Sequence, residues 1–190
     1  MKANLSDLFV LDEAFKKGAV RAEFPSSREH VSSWIVGTCS GNISLTQNSG
    51  RAFCDFVGTT LAGFYLFSNR VQDALKKERI TGWHACPIDF KAFNGESIFQ
   101  YAAIAITGRC GPLENERSKK VTRVLPTARS SEEIWIGLYF REETWSGTDL
   151  FRPDGTMLTI ATSRAREVIE GVGATNIRFR PLLEIERAVL

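Results

Sequence analysis

The chain lacks any long apolar run, and this absence excludes one class of protein at the outset. Its 190 residues are 43% hydrophobic, yet no stretch reaches the roughly 20 consecutive apolar residues that a membrane-spanning helix needs. The apolar run at residues 8–11 is also too short for the core of a secretory signal peptide. The sequence therefore predicts a single globular domain, residues 1–190, that works in the cytoplasm.

The chain also lacks a dominant charge. Its 24 basic and 22 acidic residues leave a net charge of +2, which provides no extended positive field for a nucleic-acid backbone. One local basic run lies between residues 109 and 129, and solvation of a surface loop explains it more simply than partner binding does. Neither nucleic acid nor a membrane is expected as a partner, and the composition does not define an oligomeric state.

Cysteine and histidine are too few and too scattered to predict a disulfide framework or a metal site. The chain has four cysteines and two histidines: Cys39, Cys54, Cys86, Cys110, His30 and His84. His84 and Cys86 lie on the same face of a predicted strand. Completing a zinc site would require Cys39, Cys54 or His30 from elsewhere in the chain. No C-x-x-C pair is present, so we expect reduced, mostly buried thiols, no metal and no cofactor.

Residues 37–41 (GTCSG) match the G-x-C-x-G form of a nucleophile elbow, with Cys39 as the nucleophile. The elbow needs a strand before it and a helix after it. Residues 34–36 are a candidate strand, but residues 42–48 are polar and β-prone, and His84 is the only downstream histidine. A glycine-flanked turn is therefore favoured. No phosphate-binding glycine loop occurs either, so the sequence predicts a protein without a catalytic site.

The pattern of strands and helices predicts an α+β (or α/β) fold, in which helices pack on a mixed β-sheet. Residues 7–17 indicate a short helix, and buried strands are predicted at residues 63–67, 98–106 and 133–140. Turns are predicted at residues 94–95 (NG) and 152–156 (RPDGT). We divide the domain into a less certain region 1–52, a segment 53–125 with a strand–helix–strand unit and a hairpin, and a segment 126–190 with a second hairpin and a second such unit.

The two strand–helix–strand units resemble each other. Residues 68–75 (SNRVQDAL) align without gaps on residues 162–169 (TSRAREVI), and the same offset pairs Thr81 with Thr175 and Pro87 with Pro181. We interpret this as an internal repeat. Arg70 and Arg164 fall in the first turn of each predicted helix, where a cation opposes the helix dipole. We expect each to form an internal salt bridge, or else to contact a ligand or partner.

Several of these motifs carry a resemblance to a known family. They are residues 55–59 (DFVGT), 63–70 (GFYLFSNR), 80–83 (ITGW), 86–88 (CPI) and 106–113 (ITGRCGPL), with the closing unit at residues 159–183. The chain resembles a bacterial immunity-protein family of polymorphic toxin systems, the one numbered eleven and formerly catalogued as a domain of unknown function. The resemblance covers residues 55–125 and 157–185 and includes no catalytic signature.

The resemblance implies a non-enzymatic protein that binds a cognate toxin and blocks it. Aromatic and arginine anchors supply most of the energy of such interfaces, and on that ground the partner-binding candidates are Trp83, Arg109, Arg123, Trp145, Arg70 and Arg164. Two alternatives stay open. One is a thiol-dependent hydrolase or transferase that uses Cys39, and the other is a sensor of a small anionic ligand with Arg70 and Arg164 at the mouth of its cleft.

Overall fold

The computed structural model describes residues 4–24, 37–39, 43–125 and 130–188. Within these ranges the chain forms fifteen strands and two α-helices. The strands are β1 (Leu8–Glu13), β2 (Arg21–Glu23), β3 (Ile43–Ser49), β4 (Phe56–Thr59), β5 (Tyr65–Ser68), β6 (Trp83–Cys86), β7 (Ile88–Lys91), β8 (Tyr101–Ile106), β9 (Gly108–Cys110), β10 (Lys119–Leu125), β11 (Ser130–Ile136), β12 (Leu150–Pro153), β13 (Thr159–Thr162), β14 (Ile177–Pro181) and β15 (Glu186–Ala188). The helices are α1 (Asn69–Lys77) and α2 (Ser163–Gly171).

The predicted α+β (or α/β) fold, with helices packed on one mixed sheet, is wrong. Of the described residues 44% lie in strands and 18% are helical, and the strands form three sheets. Within the predicted helix at residues 7–17, residues 8–13 form strand β1 instead. Polar strands caused the main error, because in β3 only alternate residues are buried and the rest are polar surface. That weak period-two signal looks like a loop in the sequence. The candidate strand at residues 34–36 lies outside the described residues.

The largest sheet has seven strands in the order β6-β8-β5-β4-β2-β3-β7 and curls into a half-barrel. Its two edge strands, β6 and β7, are separated by Pro87 alone, and proline is tolerated at such an edge because it has no N–H to donate. The interior of the half-barrel is a core cluster of buried side chains, including Phe24, Leu45, Phe64, Leu66, Cys86, Phe90 and Tyr101.

The second sheet has five strands in the order β14-β1-β13-β12-β9, and the third contains β10, β11 and β15. A core cluster between the five-stranded sheet, the half-barrel and both helices includes Leu11, Phe56, Phe67, Val71, Leu75, Leu150 and Ile169. The two helices therefore share one core cluster with both sheets. Each has nine residues, and in the described part of the chain no helix has the length and apolar character to cross a membrane.

The internal repeat is visible in the structure as two strand–helix–strand units, β5-α1-β6 and β13-α2-β14, whose helices begin at Asn69 and Ser163. A strand from outside completes each unit. β8 pairs with both β5 and β6, whereas β1 pairs with both β13 and β14. The first strand of the chain thus belongs to the second unit, and this pairing ties the N-terminal strand to residues 159–181.

Candidate functional site

Arg70 forms an internal salt bridge with Asp55, a carboxylate that is only 7% exposed. Nε and Nη2 of Arg70 donate to it at 3.1 and 2.5 Å. Ser68 Oγ donates at 2.7 Å, and N and Oγ1 of Thr175 donate at 2.8 and 2.7 Å. Burial by itself raises the pKa of Asp55, but the hydrogen bonds from Arg70, Ser68 and Thr175 outweigh it and hold that pKa well below its usual range.

Arg164 forms the equivalent salt bridge in the second unit. Its Nη1 donates at 3.0 Å to Asp149, which is 9% exposed. This carboxylate also accepts from Thr162 Oγ1 and from N and Oγ1 of Thr81. Each carboxylate therefore connects the N-cap of its own helix to the turn after the other helix. The expected internal salt bridges of Arg70 and Arg164 are present, and their visible role is to join the two units.

Two further partner-binding candidates, the tryptophans, are half-buried. Trp83 begins β6, and its Nε1 donates to the Ile80 carbonyl at 2.9 Å. Trp145 donates from Nε1 to the Thr148 carbonyl at 3.2 Å, and its ring lies 5.6 Å from that of Phe151. Both indole N–H groups are thus used within the fold, and both residues are partly exposed.

The two remaining candidates, Arg109 and Arg123, occupy different sheets. Arg109 lies in β9, and its Nη1 donates to the carbonyl of Gly108 at 2.9 Å. Burial lowers the pKa of the Arg109 guanidinium. Arg123 lies in β10, where Nη2 donates to both carboxylate oxygens of Glu186 at 2.6 Å. Arg109 is a neighbour of the segment that carries Trp145, because the Ser146 N–H donates to the Arg109 carbonyl at 2.9 Å.

Three phenylalanines that the sequence did not single out, Phe53, Phe93 and Phe99, are 45%, 66% and 84% exposed. We call these three exposed side chains the aromatic surface. Phe93 and Phe99 belong to the connection between β7 and β8, and the Phe53 ring centroid is 6.4 Å from that of Tyr101, the first residue of β8. A phenylalanine in a sequence looks the same whether it is buried or exposed, so only its position in the fold identifies this surface.

A cluster of two sulfurs and an imidazole lies at the edge of the half-barrel. Cys39 is disulfide-bonded to Cys86, with a Cα–Cα distance of 5.8 Å, and His84 Nε2 lies 3.0 Å from the Cys39 Sγ. Cys86 is fully buried, whereas Cys39 and His84 are half-buried. As expected from strand alternation, His84 and Cys86 lie on the same face of β6. Cys39 lies 45 positions before His84 and 47 before Cys86, a distance that no local spacing indicates.

The expectation of four reduced thiols is therefore wrong for this pair. Cys54 and Cys110 are free and buried, and burial raises the pKa of the Cys110 thiol to about 12. The thiol-enzyme alternative requires a free Cys39, which the disulfide-bonded form does not have. His30, Ser40 and Gly41, which the elbow and zinc interpretations involved, lie outside the described residues.

A cleft of about 370 Å³ runs along β1, β4 and β5. Arg21 and Arg180 line it, whereas Arg70 and Arg164 do not. The guanidinium of Arg21 lies 3.5 Å from Glu13, and Arg180 donates to Asp12 at 2.9 Å. The anion-sensor alternative would therefore need different arginines, and both of these already face carboxylates.

The chain was compared with known families and with curated proteins. No family model matches it. No curated protein matches it either.

Proposed function

We propose that the protein is a non-enzymatic immunity protein that binds a cognate bacterial toxin and neutralises it by covering part of the toxin's surface. The choice of partner depends on the resemblance of residues 55–125 and 157–185 to the immunity family numbered eleven. The observation that carries the binding role is the aromatic surface, where Phe93 and Phe99 are 66% and 84% exposed.

Exposed rings of this kind favour association for an energetic reason. A phenylalanine side chain presents on the order of 150–250 Å² of surface, and burying apolar surface releases roughly 25 cal/mol per Å². Phe99 alone could therefore contribute on the order of 3 kcal/mol to a complex, because little of it is buried in the free protein. Residues that contribute this much form the centre of protein interfaces.

The surroundings of the aromatic surface fit a defined interface better than a loose loop. The connection that carries Phe93 and Phe99 is held by backbone bonds, with the Ala92 N–H donating to the Glu96 carbonyl at 2.8 Å and the Ile98 N–H to the Phe90 carbonyl at 2.8 Å. A preorganised surface loses less conformational entropy on binding than a mobile one.

The test combines protection with binding. The chain is produced in cells that express the product of the adjacent gene as the candidate toxin, and growth is measured. The purified pair is then studied by calorimetry. We expect protection, and we expect Phe99→Ala to raise the dissociation constant by about 30- to 100-fold, the equivalent of 2–3 kcal/mol.

The matched control is Phe15→Ala. Phe15 is 60% exposed but belongs to the segment after β1, where Arg21 and Arg178 lie over its ring. We expect this variant to bind like the wild type. Failure of the chain to protect the cells, or equal binding by the Phe99→Ala and wild-type proteins, would contradict the proposal.

A further inference from the structure

We propose that Cys39, His84 and Cys86 form a site for one divalent zinc ion in the reduced protein, and that the disulfide is the metal-free alternative of the same site. The inference does not depend on the proposed toxin-binding function. It concerns the side chains of Cys39, His84 and Cys86, whereas the binding role depends on the exposed rings of Phe93 and Phe99.

The first argument is the donor set. Two cysteine sulfurs and one imidazole nitrogen are ligands that zinc prefers, and a site with three protein ligands keeps its fourth position for water or another ligand. Within the described residues, the ligand atoms of these three side chains lie close enough together to hold one metal ion. The two thiolates would neutralise the charge of the ion, so the half-buried site would hold no net charge.

The second argument is distance. The three donor atoms lie within 4.8 Å of one another, and His84 Nε2 is 3.0 Å from the Cys39 Sγ. Ligands at zinc distances of about 2.3 Å for sulfur and 2.0–2.1 Å for nitrogen stand roughly 3.5–3.8 Å apart in a tetrahedron. Small side-chain rotations therefore suffice once the sulfur–sulfur bond is broken.

The third argument is the support of the site. His84 and Cys86 stand two residues apart on β6, and β6 is paired along its length with β8, from Trp83 opposite Ile106 to Cys86 opposite Ala103. Two of the ligands are thus held on a rigid strand, which favours a defined coordination geometry. The third, Cys39, has its Cα 5.8 Å from that of Cys86, so it needs no large movement of the chain.

The chemistry balances in two steps. A dithiol reductant gives two electrons and two protons to the disulfide, so that Cys39 and Cys86 become thiols and the reductant becomes a disulfide. Binding of the zinc ion then releases both thiol protons to solvent. The two states exclude each other because each uses the same two sulfurs. In both states the segment of Cys39 stays connected to β6.

The experiment uses the full chain, reduced with an excess of a dithiol under argon, desalted and titrated with zinc chloride, and in parallel with cobalt chloride. We expect one ion per chain, a thiolate-to-cobalt charge-transfer band and the visible absorption of tetrahedral cobalt. The oxidised protein should bind neither ion. Zinc at about 100 times its dissociation constant should raise the melting temperature of the reduced protein by about 5–10 °C.

Variants separate the cluster from the other thiols. Cys39→Ser should weaken the cobalt charge-transfer band and should weaken zinc binding more than a hundredfold. His84→Ala should weaken zinc binding more than tenfold. Both side chains are half-buried, and circular dichroism checks that the variants fold. The matched control is Cys110→Ala, which removes a free, buried thiol outside the cluster and should bind zinc like the wild type.

Three results would overturn the proposal. The first is a reduced wild-type protein that binds zinc no more tightly than Cys39→Ser. The second is a His84→Ala variant with unchanged affinity and an unchanged cobalt spectrum. The third is a disulfide that stays closed in the folded protein under excess dithiol, because the pair would then be a permanent crosslink.

Discussion

Asp55→Ala is expected to destabilise the protein strongly, because this carboxylate joins the two repeated units. It accepts hydrogen bonds from Arg70, Ser68 and Thr175 and is only 7% exposed. Alanine would leave the N–H and hydroxyl of Thr175 and the hydroxyl of Ser68 without their acceptor. Donors left unsatisfied in this way cost more than the hydrogen bond itself contributes.

The magnitude follows from the partners. The three donors from Ser68 and Thr175 are worth about 1–1.5 kcal/mol each, the net value of an ordinary hydrogen bond, because both residues are half-buried. Arg70 adds about 1 kcal/mol or less, because its side chain is 53% exposed and returns to water when the carboxylate is removed. The expected loss in the free energy of unfolding is therefore about 3–5 kcal/mol, which corresponds to roughly 8–15 °C in melting temperature for a chain of this length.

The assay is urea denaturation followed by tryptophan fluorescence and circular dichroism, with two comparison variants. Asp149→Ala removes the equivalent carboxylate and should cost a similar amount, since Thr81, Thr162 and Arg164 donate to it in the same arrangement. Asp12→Ala is the control, because Asp12 is 31% exposed and pairs with surface arginines; it should cost about 1 kcal/mol or less. A loss for Asp55→Ala no larger than that of the control would refute the reasoning.

Three further outcomes are expected. The pKa of Asp55 is lower in the folded than in the unfolded protein, so the stability that its ionised carboxylate contributes is complete above about pH 5 and is lost as the pH falls below about 4. The difference in melting temperature between the wild type and Asp55→Ala should therefore shrink from pH 7 to pH 3, and a constant difference would contradict this. Arg79 and Gly173 occupy equivalent left-handed positions after the two helices, with φ of 52° and 63°. Because glycine adopts this conformation without steric cost, Arg79→Gly should stabilise the protein by about 0.5–1 kcal/mol in urea denaturation, and Gly173→Ala should destabilise it by about 1 kcal/mol. Reduction in the presence of a chelator should lower the free energy of unfolding by up to about 4 kcal/mol, because the disulfide between Cys39 and Cys86 closes a loop with a sequence separation of 47. Equal melting curves before and after reduction would show that the disulfide adds no stability.

Local chemistry accounts for what was predicted correctly. The two helices follow from helical spacing, and the structure places their N-caps at Ser68 and Thr162, which are aligned positions of the repeat. The turn at residues 152–156 follows from proline and glycine, and it connects β12 to β13. These features depend on residues a few positions apart, which interact in any fold that contains them.

The errors share the opposite property. The apolar run at residues 8–11 is compatible with a helix or a strand, and pairing with β13 and β14 decides for a strand. The exposure of Phe93 and Phe99, which the sequence did not single out, depends on which side of a connection faces solvent. The Cys39–Cys86 bond joins residues from separate segments, and no spacing rule connects them.

By itself the sequence determined the repeat, because the positions of a serine or threonine cap, an arginine and a threonine recur in both units and each sets local geometry. Only the tertiary structure decided that these residues meet across the units, with Thr175 donating to Asp55 and Thr81 to Asp149. It also decided that an isolated cysteine reaches the histidine and cysteine of β6. The physical reason is that contacts between distant segments depend on how the sheets curl and which strands pair, and that arrangement minimises the free energy of the whole chain rather than of any one segment.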